Sequence, residues 1–458
     1  MKTNKRVKKN TIRTSKNATQ YTHEGAIASS VSDFETLKRS VCACLLWENT
    51  FYEDGQSIAD RISGLIAKCD PKRVADLAIE CRTKMKLRHI PLFMAVNMWK
   101  HDTHKKYVGD VLSNVIQRAD EPAEVLSLWF KEAGIKSDSK KTIPNQIKKG
   151  INFALEKFNE YQLSKYKGNK NAISLKDVIL LTHPKRNDLF KKVIDGTIEP
   201  PMTWEVEYSK AGNDVNAKKA IWTSLISENK LGALAFLRNL RNMESVGVSH
   251  SLIKEGLKKM NTSRVLPFRF IQAVKHAPYL NDELEQCMFK CLESNEKLSG
   301  KTVLLVDVSG SMSWAGDRMS NLNAIDYANG LAILVRELCD DVRIFSFSNN
   351  VVEVRNQRGF GLGDAIQNSQ SHGGTNLSGA LSTINNKCDY DRLIVLTDEQ
   401  VHSGYLEHPT GRGYIINVAT NKNGVAYDKY VHVNGFSEAV IDYITEYEKL
   451  GVTESLGV

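Results

Sequence analysis

Val303-Leu304-Leu305-Val306-Asp307-Val308-Ser309-Gly310-Ser311 is the stretch that decides how this 458-residue chain is read. Apolar branched residues that stop at a polar, glycine-containing turn read as a buried parallel strand delivering its C-terminal end to a site. The order Asp-x-Ser-x-Ser then places three oxygen side chains, Asp307, Ser309 and Ser311, on one short loop. One carboxylate and two hydroxyls are hard ligands, suited to Mg²⁺ and unsuited to Zn²⁺ or copper. Small polar residues also follow strands in ordinary α/β turns, where they do no more than cap the turn. Two later stretches extend the pattern.

In Gly373-Gly374-Thr375-Asn376-Leu377 a glycine pair exposes Thr375 at the start of a helix expected from Leu377 to Ile384. In Leu393-Ile394-Val395-Leu396-Thr397-Asp398 a second apolar strand ends in a carboxylate. With these three parts in order, the chain from about Lys301 to the C-terminus resembles a von Willebrand factor type A domain. Asp307, Ser309, Ser311, Thr375 and Asp398 match the five positions of its metal-ion-dependent adhesion site (MIDAS). The resemblance implies that Ser309, Ser311 and Thr375 touch Mg²⁺, or another divalent cation such as Mn²⁺, directly. Asp307 and Asp398 would act partly through water, and one position would stay open for an acidic oxygen of a ligand. No nucleophile and base pair stands beside these residues, so binding is expected and catalysis is not.

The whole chain is long enough for two to four domains. With 41% hydrophobic and 25% charged residues it has the composition of a soluble globular protein. No apolar run approaches the ~18 to 20 residues that cross a bilayer, so no membrane partner is expected. Residues 1–17 are polar and rich in lysine and lack the apolar segment of a secretory signal. A cytoplasmic protein is expected, with a transit peptide as the alternative. The eight cysteines form no Cys-x-x-Cys pair, and Cys42, Cys44, Cys287 and Cys291 fall in helix-like apolar patterns. Reduced structural thiols are expected, not a zinc site.

The net charge of +9 conceals a division. From Lys301 onward 12 Lys and Arg face 19 Asp and Glu, a net −7, whereas residues 1–300 carry 50 against 34, a net +16. A basic N-terminal part suits a polyanionic partner, although a solvated lysine-rich surface gives the same numbers. Lys2, Lys5, Arg6, Lys8, Lys9, Arg13 and Lys16 make a basic arm too polar to bury a core. From Ser32 the pattern is helical for some 260 residues. Asp70-Pro71 is a helix start, an acidic N-cap followed by proline at the first helical position, and Pro91, Pro122 and Pro144 open further helices. Helix after helix without a strand predicts an α solenoid of degenerate HEAT-like repeats.

The basic residues cluster within this solenoid. Lys148, Lys149 and Lys157 are expected on one helix, Lys165, Lys167 and Lys170 in a loop, and His183, Lys185 and Arg186 after a short helix from Leu175 to Leu181. Arg238 and Arg241, three positions apart, are neighbours on the surface of another. Cationic groups beside Tyr166 and His183 suit phosphate contacts and base stacking, the combination that unpaired RNA needs. Arginine forks match phosphate geometry in particular.

Ser164-Lys165-Tyr166-Lys167, Leu180-Leu181-Thr182-His183, Ala220-Ile221-Trp222, Leu237-Arg238-Asn239-Leu240 and Leu266-Pro267-Phe268 resemble the TROVE module of the Ro ribonucleoprotein autoantigen family. That family places a type A domain after the helical module, the order found here. The resemblance implies a basic arm at 1–24, an RNA-binding helical-repeat ring at 25–298 and a doubly wound α/β type A domain at 299–458. It implies a monomer that binds Y-type small RNA on its outer surface and single-stranded 3′ ends of misfolded RNA in the hole. An exoribonuclease tethered through RNA is a further implied partner. Lys165, Lys167 and His183 match positions on the family's RNA-binding surface. Lys170 stands near a family arginine, within Gly168-Asn169-Lys170-Asn171, which departs from the pattern. The competing reading is an adaptor whose type A domain grips an acidic side chain of a protein partner. It accounts better for the metal motif and worse for the +16 half. A hydrolase at Asp307 lacks a general base, since Asp398 and Glu399 are the nearby acids.

Overall fold

The structure, a computed structural model, describes residues 21–22, 28, 32–42, 55–134, 142–165, 173–199, 203–262, 265, 268–293, 296–313, 323–402, 405–419, 421, 423–435, 440–441, 443–445 and 447–448. The basic arm through position 20, Cys44, Tyr166, Lys167 and Lys170 lie outside them. Helices fill the first part: α1 (Asp33–Cys42), α2 (Gly55–Ile66), α3 (Pro71–Thr83), α4 (His89–Met98), α5 (Lys105–Val115), α6 (Glu121–Glu132), α7 (Asn145–Leu155), α8 (Glu160–Ser164), α9 (Leu175–Thr182) and α10 (Asp188–Asp195). They continue with α11 (Trp204–Lys210), α12 (Val215–Ser227), α13 (Ala233–Ser245), α14 (His250–Lys259), α15 (Phe268–His276) and α16 (Asn281–Leu292). The remainder is an α/β unit of β1 (Leu298–Asp307), α17 (Ala324–Leu338), β2 (Cys339–Phe347), β3 (Val351–Glu353), α18 (Gly359–Gln367), α19 (Leu377–Lys387), β4 (Arg392–Thr397), β5 (Arg412–Asn417) and β6 (Val431–Asn434).

Local chemistry explains many of the helix starts. The Asp70 carboxylate accepts a hydrogen bond from the Arg73 N–H (2.9 Å) ahead of Pro71, and α9 and α17 begin with reciprocal capping boxes, Ser174 with Asp177 and Asn323 with Asp326. Pro122 is the second residue of α6, whereas α4 begins two residues before Pro91 and Pro144 directly precedes α7. The first-turn N–H groups have no partner inside a helix, so proline is harmless at any of these positions. Helix α7 ends at Leu155, so Lys157 lies beyond it and not on it. Bonds of the i to i−3 kind, from Lys157 N–H to Ala154 and from Phe158 N–H to Leu155, tighten the chain there and close the helix. The Lys157 ammonium turns back to the Ser113 carbonyl.

Packing follows the logic of a solenoid, each helix touching its neighbour but one. α3, α5, α7 and α9 form one such series, α2, α4 and α6 a second; past α11, α12, α14 and α16 form a third, and α13 with α15 a fourth. Apolar side chains of α1 to α10 share one core, in which nine residues of α4, from Ile90 to Met98, are buried. Helices α12 to α16 share a second core with one face of the sheet. The seven cysteines among the described residues are free thiols, and no described helix is long and apolar enough to cross a membrane.

The sheet has the order β3-β2-β1-β4-β5-β6, parallel except for β3. Leu304 and Val306 of β1 face the core shared with α17, while Val303 and Leu305 face a third core closed by α19, so helices cover both faces. The α/β unit meets both ends of the helical array. At one end Gly330 of α17 lets the Phe268 ring of α15 approach; at the other, α1 packs on β6 and sends Arg39 into the unit. The helical repeats are thereby closed into a ring.

Candidate metal centre and nucleic-acid interface

In this strand order the connections diverge between β1 and β4, and ligands of open α/β sheets bind at the carboxyl ends of the strands at such a switch point. The parallel register pairs Val306 with Leu396, so Asp307 and the residues after Thr397 leave the sheet side by side. Asp307 is wholly buried, Ser309, Thr375 and Asp398 nearly so, and Ser311 is half-buried. The Asp307 carboxylate accepts the Ser309 N–H (2.9 Å) and the Thr397 hydroxyl (2.6 Å), and the Ser309 and Ser311 hydroxyls stand 3.3 Å apart.

Backbone bonds draw the third loop in. Gly310 N–H donates to the Gly373 carbonyl (3.0 Å), Gly373 N–H to the Ser348 hydroxyl (2.7 Å) and Thr375 N–H to His402 Nδ1 (2.9 Å). The glycine pair leaves room for its neighbours: a Cβ on Gly373 would stand 2.3 Å from Asn349 Nδ2, and one on Gly374 2.1 Å from His402 Cε1, so either side chain would have to shift. Three loops that the sequence singled out thus meet at one edge of the sheet.

Burial, and then the charge of Asp398, push the Asp307 carboxyl up to about 7, against the pull of its hydrogen bonds to Ser309 and Thr397. Two acids packed together in this way repel when both are ionised, and a proton or a cation between them relieves that repulsion. The donor set, two carboxylates and three hydroxyls, is hard and carries two negative charges when ionised, which fits a divalent Mg²⁺-type ion. Among the described residues no cluster of three or more His, Cys, Asp or Glu could hold a softer metal. Glu399 turns away from this set. Its buried carboxylate pairs with Arg39 and lies 2.9 Å from His432 Nδ1. Burial alone would raise it, yet the Arg39 guanidinium and His432 hold the Glu399 carboxyl below the usual range. Sequence reasoning does not single out Arg39 or His402: Arg39 stands 360 positions from its partner, and nothing local marks either residue.

The basic residues divide between the two cores. Asn152 Nδ2 donates to the Thr182 carbonyl (3.1 Å), which brings α7 against the end of α9. Around this joint Phe153, Leu180 and Leu181 are 49%, 47% and 40% exposed, the Lys149 ammonium lies 5.7 Å over the Phe153 ring, and His183, Lys185 and Arg186 are exposed. His183 adopts a left-handed backbone (φ 53°), sparsely populated for a residue other than glycine. Lys148 is half-buried on the same helix as Lys149. Lys165 is paired with Glu205 of α11 (3.2 Å) and is not a free cation. Arg238 and Arg241 are exposed on α13, in the second core. The exposed Phe153, Leu180 and Leu181 are the part of this surface that the sequence does not disclose, because each sits in an ordinary apolar helix pattern.

The fold is a helical-repeat ring closed by a mostly parallel α/β sheet, with oxygen side chains at its switch point and cationic, partly apolar helix ends. Within it, residues 195–303 match the family model of the TROVE domain. Telomerase protein component 1 of Mus musculus is 42% identical over 79 residues, 16% of this chain, and that of Rattus norvegicus 39% over 82 residues, 17% of this chain. The matched stretch is 3% of the length of each of these relatives. The crystal structure of the Deinococcus radiodurans RO (RSR) protein shares the fold, with a TM-score of 0.55 at 17% identity over 89% of this chain and 97% of that one.

Proposed function

We propose that this protein is an RNA-binding scaffold, not an enzyme, that takes Y-like structured RNA and single-stranded 3′ ends of misfolded RNA for quality control or decay. The observation that carries the reading is the α7–α9 joint, where Lys149 lies over the exposed Phe153 ring and the exposed His183, Lys185 and Arg186 follow closely in the chain on the exposed Leu180 and Leu181. Unpaired bases stack on rings and apolar surface while the cations meet phosphates, a combination that duplexes use less. The TROVE match supports an RNA partner, and an exoribonuclease would join through the RNA. We assign 25–298 to the RNA-binding ring and 299–458 to the type A unit, whose Asp307, Ser309, Ser311, Thr375 and Asp398 would hold Mg²⁺ or Mn²⁺.

An RNA with a single-stranded 3′ tail should bind more tightly than a blunt duplex of equal length. Lys149→Ala combined with Arg186→Ala should weaken binding and lower the slope of log K against log salt by roughly 0.7 to 0.9 for each phosphate left without its cation. Unchanged affinity and slope would reduce those residues to a solvated surface. The donor set favours the adaptor reading as a second role for the type A unit. Mg²⁺ at 100 times its Kd should stabilise the chain by about 2.7 kcal/mol, and Asp307→Ala should abolish that rise in Tm.

A further inference from the structure

Arg39 of α1 is fully buried, as is its partner Glu399. Its guanidinium is used in every direction: Nη1 pairs with Glu399 and donates to the Tyr427 hydroxyl (2.7 Å), Nε donates to the Asn421 carbonyl (3.1 Å) and Nη2 to the Asn423 carbonyl (2.6 Å). The acceptors come from the loops after β4 and β5. A buried charge without these partners would carry a large desolvation cost, so the guanidinium stays seated wherever α1 is docked.

What Arg39 grips is the loop that bears Asp398. Glu399 follows Asp398 directly and has a left-handed backbone (φ 58°), a conformation that persists for such a residue only where its surroundings over-determine it. Its N–H donates to Thr397 Oγ1 (3.0 Å), the hydroxyl that donates to Asp307 (2.6 Å). Gln400 Nε2 contacts both the Asp398 carbonyl (3.2 Å) and the Asn423 carbonyl that Arg39 holds (3.4 Å). A relay of contacts therefore runs from α1 through Glu399, Thr397 and Gln400 to both acids of the candidate cation site. His432, stacked on Tyr427 with ring centroids 3.7 Å apart, backs Glu399 from the other side.

We propose that Arg39 is a positioning residue for the cation site, so that docking of α1 and binding of the cation are linked. The inference rests on the reading of the Asp307 set as a Mg²⁺ or Mn²⁺ site. Groups that orient metal ligands change metal affinity by about 10- to 100-fold when removed, and linkage makes the effect reciprocal: a bound cation strengthens ring closure as closure strengthens cation binding.

The test uses the full chain, with Mg²⁺ affinity measured by calorimetry and amide hydrogen exchange followed over residues 33–42. In the wild type, Mg²⁺ should slow exchange across α1, a helix that carries none of the five oxygen ligands. Arg39→Met should weaken Mg²⁺ binding about tenfold or more and remove the effect on α1, and Arg39→Lys should restore part of both. If Arg39→Met does not fold, the double variant with Glu399→Met, which removes both buried charges together, carries the comparison. A folded variant with wild-type Mg²⁺ affinity, or a wild type that binds Mg²⁺ with no change at 33–42, overturns the linkage. A wild type that binds neither Mg²⁺ nor Mn²⁺ overturns the cation site itself, a failure the same titration distinguishes.

Discussion

Glu448 shows what a single carboxylate does in this fold. It receives Arg392 Nε (2.7 Å) and the Tyr414 hydroxyl (2.9 Å), and Arg412 stands 3.4 Å away. Burial works to raise it, but the Arg392 hydrogen bond and charge outweigh burial and hold the Glu448 carboxyl below the usual carboxylate range. A depressed pKa means that the unfolded chain binds the proton more readily. The stability from Glu448 is thus fully present above the unfolded value of about 4.3 and declines as pH falls through the folded one. Glu448→Gln should lower Tm at pH 7, and the gap to the wild type should close on acidification below about pH 4. A gap that stays constant with pH would contradict this. At this scale the sequence discloses residues whose role is local. Asp307 is legible because a strand and its loop are contiguous, whereas Arg39 and Arg392 depend on partners that only folding brings near.

Helices and strands are legible where their own residues decide them. Asp70-Pro71 starts α3 by capping chemistry, and the apolar runs at 303–306 and 393–396 become β1 and β4. The end of α7 is not legible, since the i to i−3 closure that leaves Lys157 outside depends on backbone geometry. Glycine inside a helix has two opposite meanings, and the structure separates them. A Cβ on Gly330 of α17 would stand 2.2 Å from the Phe268 ring, where the helical array meets the sheet, so Gly330→Ala should destabilise the protein by about 1 to 3 kcal/mol. Gly64 of α2 is exposed, with nothing within 4 Å of its would-be Cβ, and Gly64→Ala should stabilise by about 0.5 to 1 kcal/mol. Urea unfolding of the two variants checks the pair, and equal signs would refute the packing at α17.

At the scale of the molecule, both ends of the helical array meet the α/β unit, α1 at β6 and α15 at α17. α1 is held against the α/β unit by Arg39, and residues 21–22 ahead of it by the Thr22 hydroxyl donating to the Val401 carbonyl (2.7 Å) and by Asn423 Nδ2 donating to the Tyr21 carbonyl (2.7 Å). The chain should sediment as a monomer without RNA, and a stable dimer would contradict the closed arrangement. The two helical cores are separate, α1 to α10 in one and α12 to α16 with the sheet in the other. Across the junction between them, Lys165 and Glu205 make an exposed pair of the kind worth about 0 to 1 kcal/mol. The junction at α1 is instead built from buried charges, and it is there that closure is coupled to the α/β unit.

The sequence by itself determined the class of fold: proline and cap signals without strands require a helical array, and two apolar strands ending in acids require a parallel α/β sheet. It also determined where the five oxygen side chains of the proposed cation site stand, because each sits beside the strand or helix end that presents it. The tertiary structure decided the surroundings of the cations, pairing Lys165 with Glu205, setting Lys149 over the exposed Phe153 ring and leaving Arg186 exposed. It alone decided that Arg39 meets Glu399 across 360 positions. Periodicity and capping are written into neighbouring residues, while an ion pair between distant loops exists only once the chain has closed on itself.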